Sequence, residues 1–349
     1  MMSDTKVAIK DLYKIFGSHP SSMIDKVKNG ISKSDLLEKY GHVLGLDNVN
    51  IEVKKSQLQV IMGLSGSGKS TLIRHINRLI EPTSGSIVVD GEDILSMNQT
   101  ELRNFRRSKA SMVFQKFGLL PHRKIIENVS YGLTIQGINK KEAYERSNQW
   151  IESVGLNGFE NHYPAQLSGG MQQRVGLARA LATDADILLM DEAFSALDPL
   201  IRSDMQDVLL SLQEKLHKTI IFITHDLDEA LKLGDNIAIL RDGAVIQSGT
   251  AENIILHPAD DYVTDFIKDI NKARVLKVSS VMTNENSIKG PEIQDNVIIE
   301  DALQTVSKSG SNGAIVIKDG KKIGTVSLTD MIMAIARSTK NTDSDTVYR

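Results

Sequence analysis

The segment Gly63–Thr71 constrains the fold of this chain more than any other. It reads GLSGSGKST and fits the phosphate-binding loop pattern G-x-x-x-x-G-K-[ST]. The apolar run Leu58–Met62 before it predicts a buried strand, and Leu72–Ile76 after it predicts the opening of a helix. A strand, a glycine-rich loop and a helix N-terminus together present backbone N–H groups and the positive end of a helix dipole to an anion. The segment therefore predicts a nucleotide phosphate site, with an ordinary glycine-rich turn as the alternative.

Residues within this loop have separate expected roles. Its glycines permit backbone conformations that are closed to residues with a Cβ. Lys69 can reach the β- and γ-phosphates, and the Ser70 hydroxyl can ligate Mg²⁺. The predicted phosphate-binding residues are Gly63, Ser65, Gly66, Ser67, Gly68, Lys69, Ser70 and Thr71.

Composition indicates a globular protein of ordinary type. The chain has 349 residues, 41% of them hydrophobic and 24% charged, with a formal net charge of -3, which suits one large domain plus a small one. No apolar run approaches the roughly 20 residues needed to span a bilayer, and the polar start predicts no signal peptide. The absence of cysteine excludes disulfides, thiolate catalysis and zinc–sulfur sites. The near-neutral charge argues against a dedicated nucleic-acid binder.

Apolar strands that alternate with helices predict a parallel α/β sheet covered on both faces. Two such runs, 187–190 and 219–223, lead directly into polar residues. Residues 17–41 read as a polar insertion between strands, with two short amphipathic helices, and residues 116–165 as a mostly helical subdomain. Active sites of open α/β sheets lie at the carboxyl ends of the strands, so the residues that follow the strands are the candidates for chemistry.

Four polar residues follow predicted strands: Gln115, Asp191, Glu192 and His225. Asp191 ends a hydrophobic strand as a Walker B aspartate should, and is placed to hold Mg²⁺ with Ser70 and Gln115. Glu192 can orient or deprotonate the water that attacks the γ-phosphate, although a helix N-cap is the alternative for this acidic pair. His225 could bond the γ-phosphate and hold that water, and the Gln115 amide suits a water or Mg²⁺ contact. Each of these last two also has a purely structural interpretation.

A second anion site is predicted at Leu167–Gln172, which reads LSGGMQ. The Ser168 hydroxyl and the N–H groups of Gly169 and Gly170 would stand at a helix N-terminus. One nucleotide cannot occupy both glycine loops of a monomer unless the chain folds them together. We therefore expect Ser168–Gly170 to contact the nucleotide of a second, head-to-tail chain, with the segment 195–198, and Asp198 in particular, along the dimer interface.

The ordered set of these motifs, over residues 6 to about 256, resembles the ABC ATPase family. The resemblance implies a P-loop (RecA-like) ABC ATPase fold with a helical subdomain, ATP and Mg²⁺ as cofactors, and a homodimer of ATPase subunits. It implies that hydrolysis powers an integral-membrane permease, served by a substrate-binding protein or domain, with no nucleic acid involved. The expected location is peripheral, on the cytoplasmic face of the cell (inner) membrane.

The same resemblance implies an aromatic side chain that stacks on adenine near the first strand. Phe16 occupies the matching place, and Tyr13 is the alternative. The insertion that follows Phe16 could move either residue, and a core role for Phe16 is the other interpretation.

Four segments resemble more specifically the ATP-binding subunits of glycine betaine/proline betaine importers: 17–41, 62–68, 78–85 and 117–123. Those subunits have C-terminal cystathionine β-synthase (CBS) modules, and residues 275–338 resemble one, opening at 278–283 and closing at 324–330. Family members usually hold two repeats, whereas this length accommodates little more than one. Either the first repeat is degenerate, or two chains pair their single modules.

The resemblance ties the CBS-like module to sensing of osmotic or ionic strength, and in some members to a nucleotide or cyclic dinucleotide. A small structural dimerisation domain is the alternative. Within it the sequence predicts strands at 297–299, 314–317 and 323–326, and helices at 301–306 and 329–336. The predicted divisions of the chain are the ABC ATPase domain 1–258, a linker helix 259–274, the small α+β CBS-like module 275–338 and a disordered tail 339–349.

These expectations combine into an ATP-hydrolysing subunit of an ABC importer for a compatible solute. One alternative is an importer for another small substrate such as an amino acid. Another is a soluble ABC ATPase in translation or DNA repair. A single ATPase unit and the lack of a heptad array disfavour this last class.

Overall fold

The computed structural model describes residues 4–115, 117–195, 197–283 and 288–336. Its strands are β1 (Thr5–Phe16), β2 (Val43–Lys54), β3 (Leu58–Met62), β4 (Ser84–Val89), β5 (Glu92–Asp93), β6 (Ala110–Val113), β7 (Ile187–Asp191), β8 (Thr219–Thr224), β9 (Asn236–Arg241), β10 (Ala244–Gly249), β11 (Glu292–Gln294), β12 (Gly313–Lys318) and β13 (Lys321–Ser327). Its α-helices are α1 (Ile24–Lys28), α2 (Lys33–Tyr40), α3 (Lys69–Ile76), α4 (Gln99–Ser108), α5 (Ile125–Val129), α6 (Tyr131–Ile135), α7 (Lys140–Ser153), α8 (Gly169–Ala182), α9 (Pro199–Leu216), α10 (Leu227–Leu233), α11 (Ala251–Leu256), α12 (Asp261–Ile267), α13 (Ile299–Ser309) and α14 (Leu328–Ile335). None of these described helices combines the length and the apolar character that crossing a bilayer requires.

A six-stranded sheet, in the order β10-β9-β3-β8-β7-β6, forms the centre of the first unit. The pairs β3–β8, β3–β9, β7–β8 and β6–β7 are parallel, which confirms the predicted sheet type. Every residue of β3, β7 and β8 is buried, because helices cover both faces of a sheet of this kind. The carboxyl ends of these parallel strands meet at one edge, so the segments that follow them are brought together there.

A second, antiparallel sheet, in the order β2-β1-β4-β5, packs onto the first. One hydrophobic cluster contains residues of both sheets and of α3, whose Leu72, Ile73 and Ile76 are fully buried. The helix that begins at the phosphate loop is therefore anchored in the core, and the loop is held by rigid elements on either side.

Residues 17–41 leave β1 and return to β2 as a short 3₁₀ turn (Pro20–Met23) followed by α1 and α2. Val27 and Leu36 are buried against Ile15 in a separate small cluster. At the base of this insertion, the two ring nitrogens of His42 lie 2.6 Å from the carbonyl oxygen of Tyr40 and 2.7 Å from that of Ser18. Both ends of the insertion are thus tied to one buried side chain.

The chain divides into two compact units with the boundary after Ser248. The predicted boundary at 258 lies later, because α11 associates with the second unit, as do α12 and the 3₁₀ turn Lys272–Arg274 of the expected linker. The expected disordered tail, 339–349, lies outside the described residues.

The second unit contains the sheet β11-β12-β13, with β11 and β12 parallel and β12 and β13 antiparallel. The strand predicted at 297–299 is wrong: Ile298 is the N-cap of α13 and Ile299 its first residue. Ile299, Ala302 and Val306 are fully buried at helical spacing, so the apolar run supplies the inner face of a helix rather than a strand.

Candidate active site

The phosphate loop has the backbone conformation that its glycines permit. Gly63, Gly66 and Gly68 have φ values of 154°, 80° and 103°. A Cβ on Gly63 would collide with the carbonyl oxygen of Leu240, and one on Gly68 would lie 2.7 Å from the carbonyl oxygen of Gly45. The helix α3 begins directly after the loop without a side-chain cap, which leaves its first N–H groups for an external acceptor.

Lys69 lies inside this loop and is only 4% exposed. Its Nζ donates to the carbonyl oxygens of Gly63 at 2.8 Å and Leu64 at 3.1 Å. Burial lowers the pKa of Lys69, and the negative charges of Glu192 and Asp191 oppose that shift. Among the described residues, nothing hydrogen-bonds the buried hydroxyl of Ser67. A buried cation, an unpartnered hydroxyl and free N–H groups fit the phosphates of ATP.

Asp191 connects the loop helix to the end of β7. It is 1% exposed, and its Oδ1 accepts a 2.7 Å hydrogen bond from the Ser70 hydroxyl. Its Oδ2 accepts from the guanidinium of Arg74 at 3.1 Å. The two oxygen ligands predicted for Mg²⁺, from Ser70 and Asp191, are therefore in direct contact, as the hard-oxygen preference of that ion requires.

Glu192 is the point at which the predicted catalytic residues converge. Its Oε2 accepts a 2.8 Å hydrogen bond from the Gln115 amide and lies 3.6 Å from Nδ1 of His225, while its Oε1 lies 3.8 Å from Nζ of Lys69. Gln115 thus contacts the Glu192 carboxylate rather than the Ser70–Asp191 pair with which it was expected to share Mg²⁺. The structure brings the groups expected to act on water together around one carboxylate.

The backbone holds this carboxylate in an unusual conformation. Glu192 has a φ of 46°, in the left-handed region that side chains with a Cβ rarely adopt. Its N–H donates to the carbonyl oxygen of Ile223 at 3.1 Å, and its own carbonyl accepts from the Ser195 hydroxyl at 2.9 Å. Strain of this kind is retained at sites where the surrounding structure fixes it, and here it orients the side chain at the sheet edge.

The LSGGMQ segment forms a separate surface. Ser168 is the N-cap of α8, and its hydroxyl accepts from the N–H of Met171 at 3.3 Å. Ser168, Gly169, Gly170 and Asp198 line one depression of about 540 Å³. Of the described residues that line it, none belongs to the phosphate loop. If a second chain completes each nucleotide site, the two glycine loops of one chain must lie apart, as they do here. Contact of Ser168–Gly170 and Asp198 with a partner chain stays a prediction.

Burial distinguishes the two aromatic candidates near β1. Tyr13 is 7% exposed and belongs to the cluster formed with Val27 and Leu36, so its ring is not available to a nucleotide. Phe16 is 40% exposed at the end of the strand, and the Lys14 ammonium lies 5.0 Å from its ring centroid. The burial of Tyr13 disfavours the Tyr13 alternative, and the exposure of Phe16 disfavours a core role for that residue. Stacking of Phe16 on adenine remains a prediction.

Sequence reasoning missed Arg74, the second partner of the Asp191 carboxylate. An arginine in a helix is usually a solvated surface residue, and nothing in its local pattern points to a site. The available signal was its position one helical turn after Ser70, which places both side chains on one face of α3.

Comparisons with known proteins agree with this geometry. Residues 46–195 match the family described as ABC transporter. The chain is 50% identical over 323 residues to the glycine betaine/carnitine transport ATP-binding protein GbuA of Listeria monocytogenes, covering 91% of this chain and 79% of that protein. It is 50% identical over 276 residues to the glycine betaine/proline betaine transport system ATP-binding protein ProV of Escherichia coli, covering 79% of this chain and 69% of that protein.

A solved dimeric structure of a bacterial ABC transporter cassette superposes with a TM-score of 0.61 and 32% identity, covering 70% of this chain and 98% of that one. The same cassette has been solved in a post-hydrolysis state bound to ADP and Pi. The fold, the converging residues and the identity to full-length relatives agree. The chain therefore belongs to the ATP-binding subunits of ABC transporters, which hydrolyse ATP with Mg²⁺ as the partner ion.

Proposed function

We propose that this chain is the ATP-hydrolysing subunit of an ABC importer for a compatible solute of the glycine betaine/proline betaine type. The observation that carries the proposal is the extent of the likeness to the Listeria protein, which covers 91% of the chain. Less than a tenth of the chain lies outside that match, so the match includes most of residues 249–349. An ATPase shared with unrelated importers would need to match only in the cassette.

Each site residue has a role in this function that follows from its contacts. Lys69 and the loop N–H groups would neutralise the phosphates, while Ser70 and Asp191 would hold Mg²⁺. Glu192 would orient or deprotonate the attacking water, with Gln115 and His225 fixing its position. The chemistry rests on electrostatic positioning and needs no covalent intermediate.

Dimerisation would complete each site. Ser168–Gly170 would close over the partner chain's nucleotide, and Asp198 would lie at the interface. The support is the separate location of the LSGGMQ depression, together with the dimeric state of the solved cassette. An integral-membrane permease and a substrate-binding protein or domain are the further partners, with this subunit peripheral on the cytoplasmic face of the membrane. No role for nucleic acid is proposed.

The CBS-like module, 275–338, would regulate transport in response to osmotic or ionic strength. Its opening and closing segments adjoin: the N–H groups of Thr283 and Thr325 each donate to the other's carbonyl oxygen, at 2.8 and 2.9 Å. This bridge supports a single closed module rather than a fragment. A nucleotide or cyclic dinucleotide is the ligand class proposed for it, and a purely structural dimerisation domain is the outcome that the test below distinguishes.

Reconstitution with the cognate permease in liposomes tests the proposal. ATPase activity is measured against glycine betaine, against an amino acid as control, and against ionic strength, using chains with and without residues 275–349. Stimulation by betaine alone supports the cargo, and stimulation by the amino acid alone rejects it. Salt dependence that survives the truncation unchanged would show that the C-terminal module is not the sensor.

A further inference from the structure

One guanidinium bridges two loops of the nucleotide site. Arg202, in the first turn of α9, donates from Nη1 to Oδ2 of Asp226 at 2.8 Å and from Nη2 to the carbonyl oxygen of Leu197 at 3.3 Å. Leu197 directly precedes Asp198, and Asp226 directly follows His225. We call residues 197–198 the Asp198 loop and residues 225–226 the His225 loop. Arg202 is therefore bonded to the loop expected at the dimer interface and to the loop expected to hold water.

The far end of this bridge is rigid. The N–H of Asp226 donates to the Thr224 hydroxyl at 2.9 Å, at the end of β8. The Asp226 Oδ1 accepts from the N–H of Glu229 at 3.2 Å and so caps α10. Asp226 is thus fixed between a buried strand and a helix. A displacement of Arg202 would therefore change the charged hydrogen bond between Arg202 and Asp226, next to His225, because Asp226 is not free to follow it.

A second polar contact joins the same helices one turn further along. Gln206 donates to Oε1 of Glu229 at 3.2 Å, with both residues less than a tenth exposed. Burial raises the pKa of Glu229. This buried contact fixes α9 relative to α10. The position of Arg202, one turn before Gln206 on α9, therefore depends on how the two helices pack as well as on its own hydrogen bonds.

Arginine is suited to this bridge in a way that lysine is not. Its planar guanidinium donates from two separate terminal nitrogens in fixed directions and so reaches two acceptors that lie apart, whereas an ammonium donates from one compact point. Its Nε is buried and, within the described part of the chain, has no hydrogen-bond partner. The hydrogen bonds of this guanidinium are therefore made at its outer end. The two terminal nitrogens are the groups whose contacts are satisfied.

We propose that Arg202 is a positioning residue that couples the Asp198 loop to the His225 loop. Contact of Asp198 with the partner chain would shift the Leu197 carbonyl, and Arg202 would transmit that shift to Asp226 and hence to His225. The 3.6 Å between His225 and Glu192 leaves a contact that can tighten when the site closes. The inference rests on the proposed function, since it requires ATP hydrolysis by a head-to-tail dimer.

The test uses the full-length chain and its ATPase rate as a function of ATP concentration. Arg202→Lys retains the charge but donates from a single nitrogen, so it should not span the two acceptors that Nη1 and Nη2 reach separately, and Arg202→Met removes the charge. Lys232→Met is the matched control, because it breaks the contacts of Lys232 with Asp207 at 2.7 Å and Ser203 at 3.4 Å across the same two helices, outside both loops. We expect both Arg202 variants to lose about 5- to 10-fold in kcat and to lose cooperativity in ATP, with KM changed by less than about twofold. The control should behave as wild type.

Three outcomes would overturn the proposal: unchanged kcat and Hill coefficient in Arg202→Lys, an equal loss in Lys232→Met, or a wild-type Hill coefficient of one. Absence of any ATPase activity in the wild-type chain would instead reject the proposed function. If Arg202→Met does not fold, as judged by thermal unfolding, Arg202→Lys decides.

A double-mutant cycle separates coupling from a general structural effect. Asp226→Asn preserves an N-cap for α10 and weakens the bond to Arg202. If Arg202 acts through Asp226, the rate of the double variant should lie within about twofold of either single variant. Additive losses would show that the two residues act independently and would contradict the proposal.

Discussion

At the residue scale, Glu192 combines two features: its carboxylate lies among the polar groups of the site, and its backbone is in the strained left-handed region. Gln115, His225 and Lys69 surround its carboxylate, and its φ of 46° aims it from the end of β7. The side chain is 16% exposed, so its charge interacts with fixed groups more than with water. A side chain of the same shape, such as glutamine, would keep this backbone conformation. Replacing Glu192 by glutamine therefore tests proton acceptance without changing the geometry.

Glu192→Gln should therefore preserve ATP binding while lowering turnover by about 10²- to 10⁴-fold, since an amide cannot accept the proton of the attacking water. Because bound ATP then persists, the dimer should be stabilised. Steady-state ATPase assays and light scattering in the presence of ATP measure the two effects. Substantial remaining activity would remove Glu192 from the catalytic role.

His75 makes stability depend on pH without taking part in catalysis. It is fully buried on α3, its Nδ1 donates to the Thr71 carbonyl at 2.6 Å, and within the described ranges its Nε2 has no partner. Burial lowers the pKa of His75 from 6.5 to about 4. Between these two values the unfolded chain binds a proton that the folded chain does not, so the folded state loses stability as the pH falls through this window.

The expected loss from His75 is about 2 kcal/mol between pH 7 and pH 5. Urea unfolding at the two pH values should show this loss in wild type and not in His75→Leu, which keeps the position apolar. His122→Gln changes an exposed histidine and serves as the control. An equal pH dependence in His75→Leu and wild type would assign the acid sensitivity to other groups.

At the element scale, two turns require glycine to different degrees: Gly68 lies between β3 and α3, and Gly91 lies between β4 and β5. Gly68 has a φ of 103° and no room for a Cβ beside the Gly45 carbonyl, whereas Gly91 has a φ of 84° with no described atom within 4 Å of its Cβ position. Both positions carry backbone strain on substitution, but only Gly68 adds a steric clash at the site.

We expect Gly68→Ala to abolish detectable ATP binding, because the loop must shift to admit the methyl group. Gly91→Ala should bind ATP normally and lose only about 1 kcal/mol of unfolding free energy. Titration calorimetry with ATP and urea unfolding measure both quantities. Normal binding by Gly68→Ala would show that the loop can be rearranged without loss of function.

Strand ends are the reason that much of the site could be predicted from the sequence. Gln115, Glu192 and His225 follow β6, β7 and β8, and parallel strands deliver such residues to one edge whatever the details of packing. Arg74 and Arg202 were not predicted, because each is a helical arginine whose partner comes from a distant segment.

The choice between Tyr13 and Phe16 also needed tertiary information. Tyr13 faces the cluster formed by the insertion, and its burial depends on how α1 and α2 pack. The strand misplaced at 297–299 has the same origin, because three apolar residues are compatible with either a strand or the buried face of a helix.

At the scale of the whole molecule, each nucleotide site of the proposed dimer contains the phosphate loop of one chain and the LSGGMQ segment of the other. A Lys69→Ala chain lacks the phosphate contact and a Ser168→Ala chain lacks the cross-chain contact. In a head-to-tail dimer of one of each, both changes fall in one site and the other site is intact.

An equimolar mixture should therefore regain up to about a quarter of the wild-type ATPase rate, well above the mean of the two separate variants. As the control, a chain that carries both changes is mixed with wild type: the heterodimers then have no intact site, so the rate should be about a quarter of wild type, from wild-type homodimers alone, instead of the half expected if each chain completed its own site. No recovery in the first mixture would mean that each chain completes its own site.

The base of the insertion at residues 17–41 makes that segment a ready place to attach a probe. His42 bonds both ends of the segment, and Val27 and Leu36 pack it against β1 and β2, so the segment is firmly attached to the antiparallel sheet. Gly30 is exposed at the far side of the segment, with no described atom within 4 Å of its Cβ position, and its φ of 84° gives a substitution there the same backbone strain as at Gly91. A cysteine there would be the only thiol in the chain. It would give a single labelling point from which a fluorophore could report the opening and closing of the transporter during turnover.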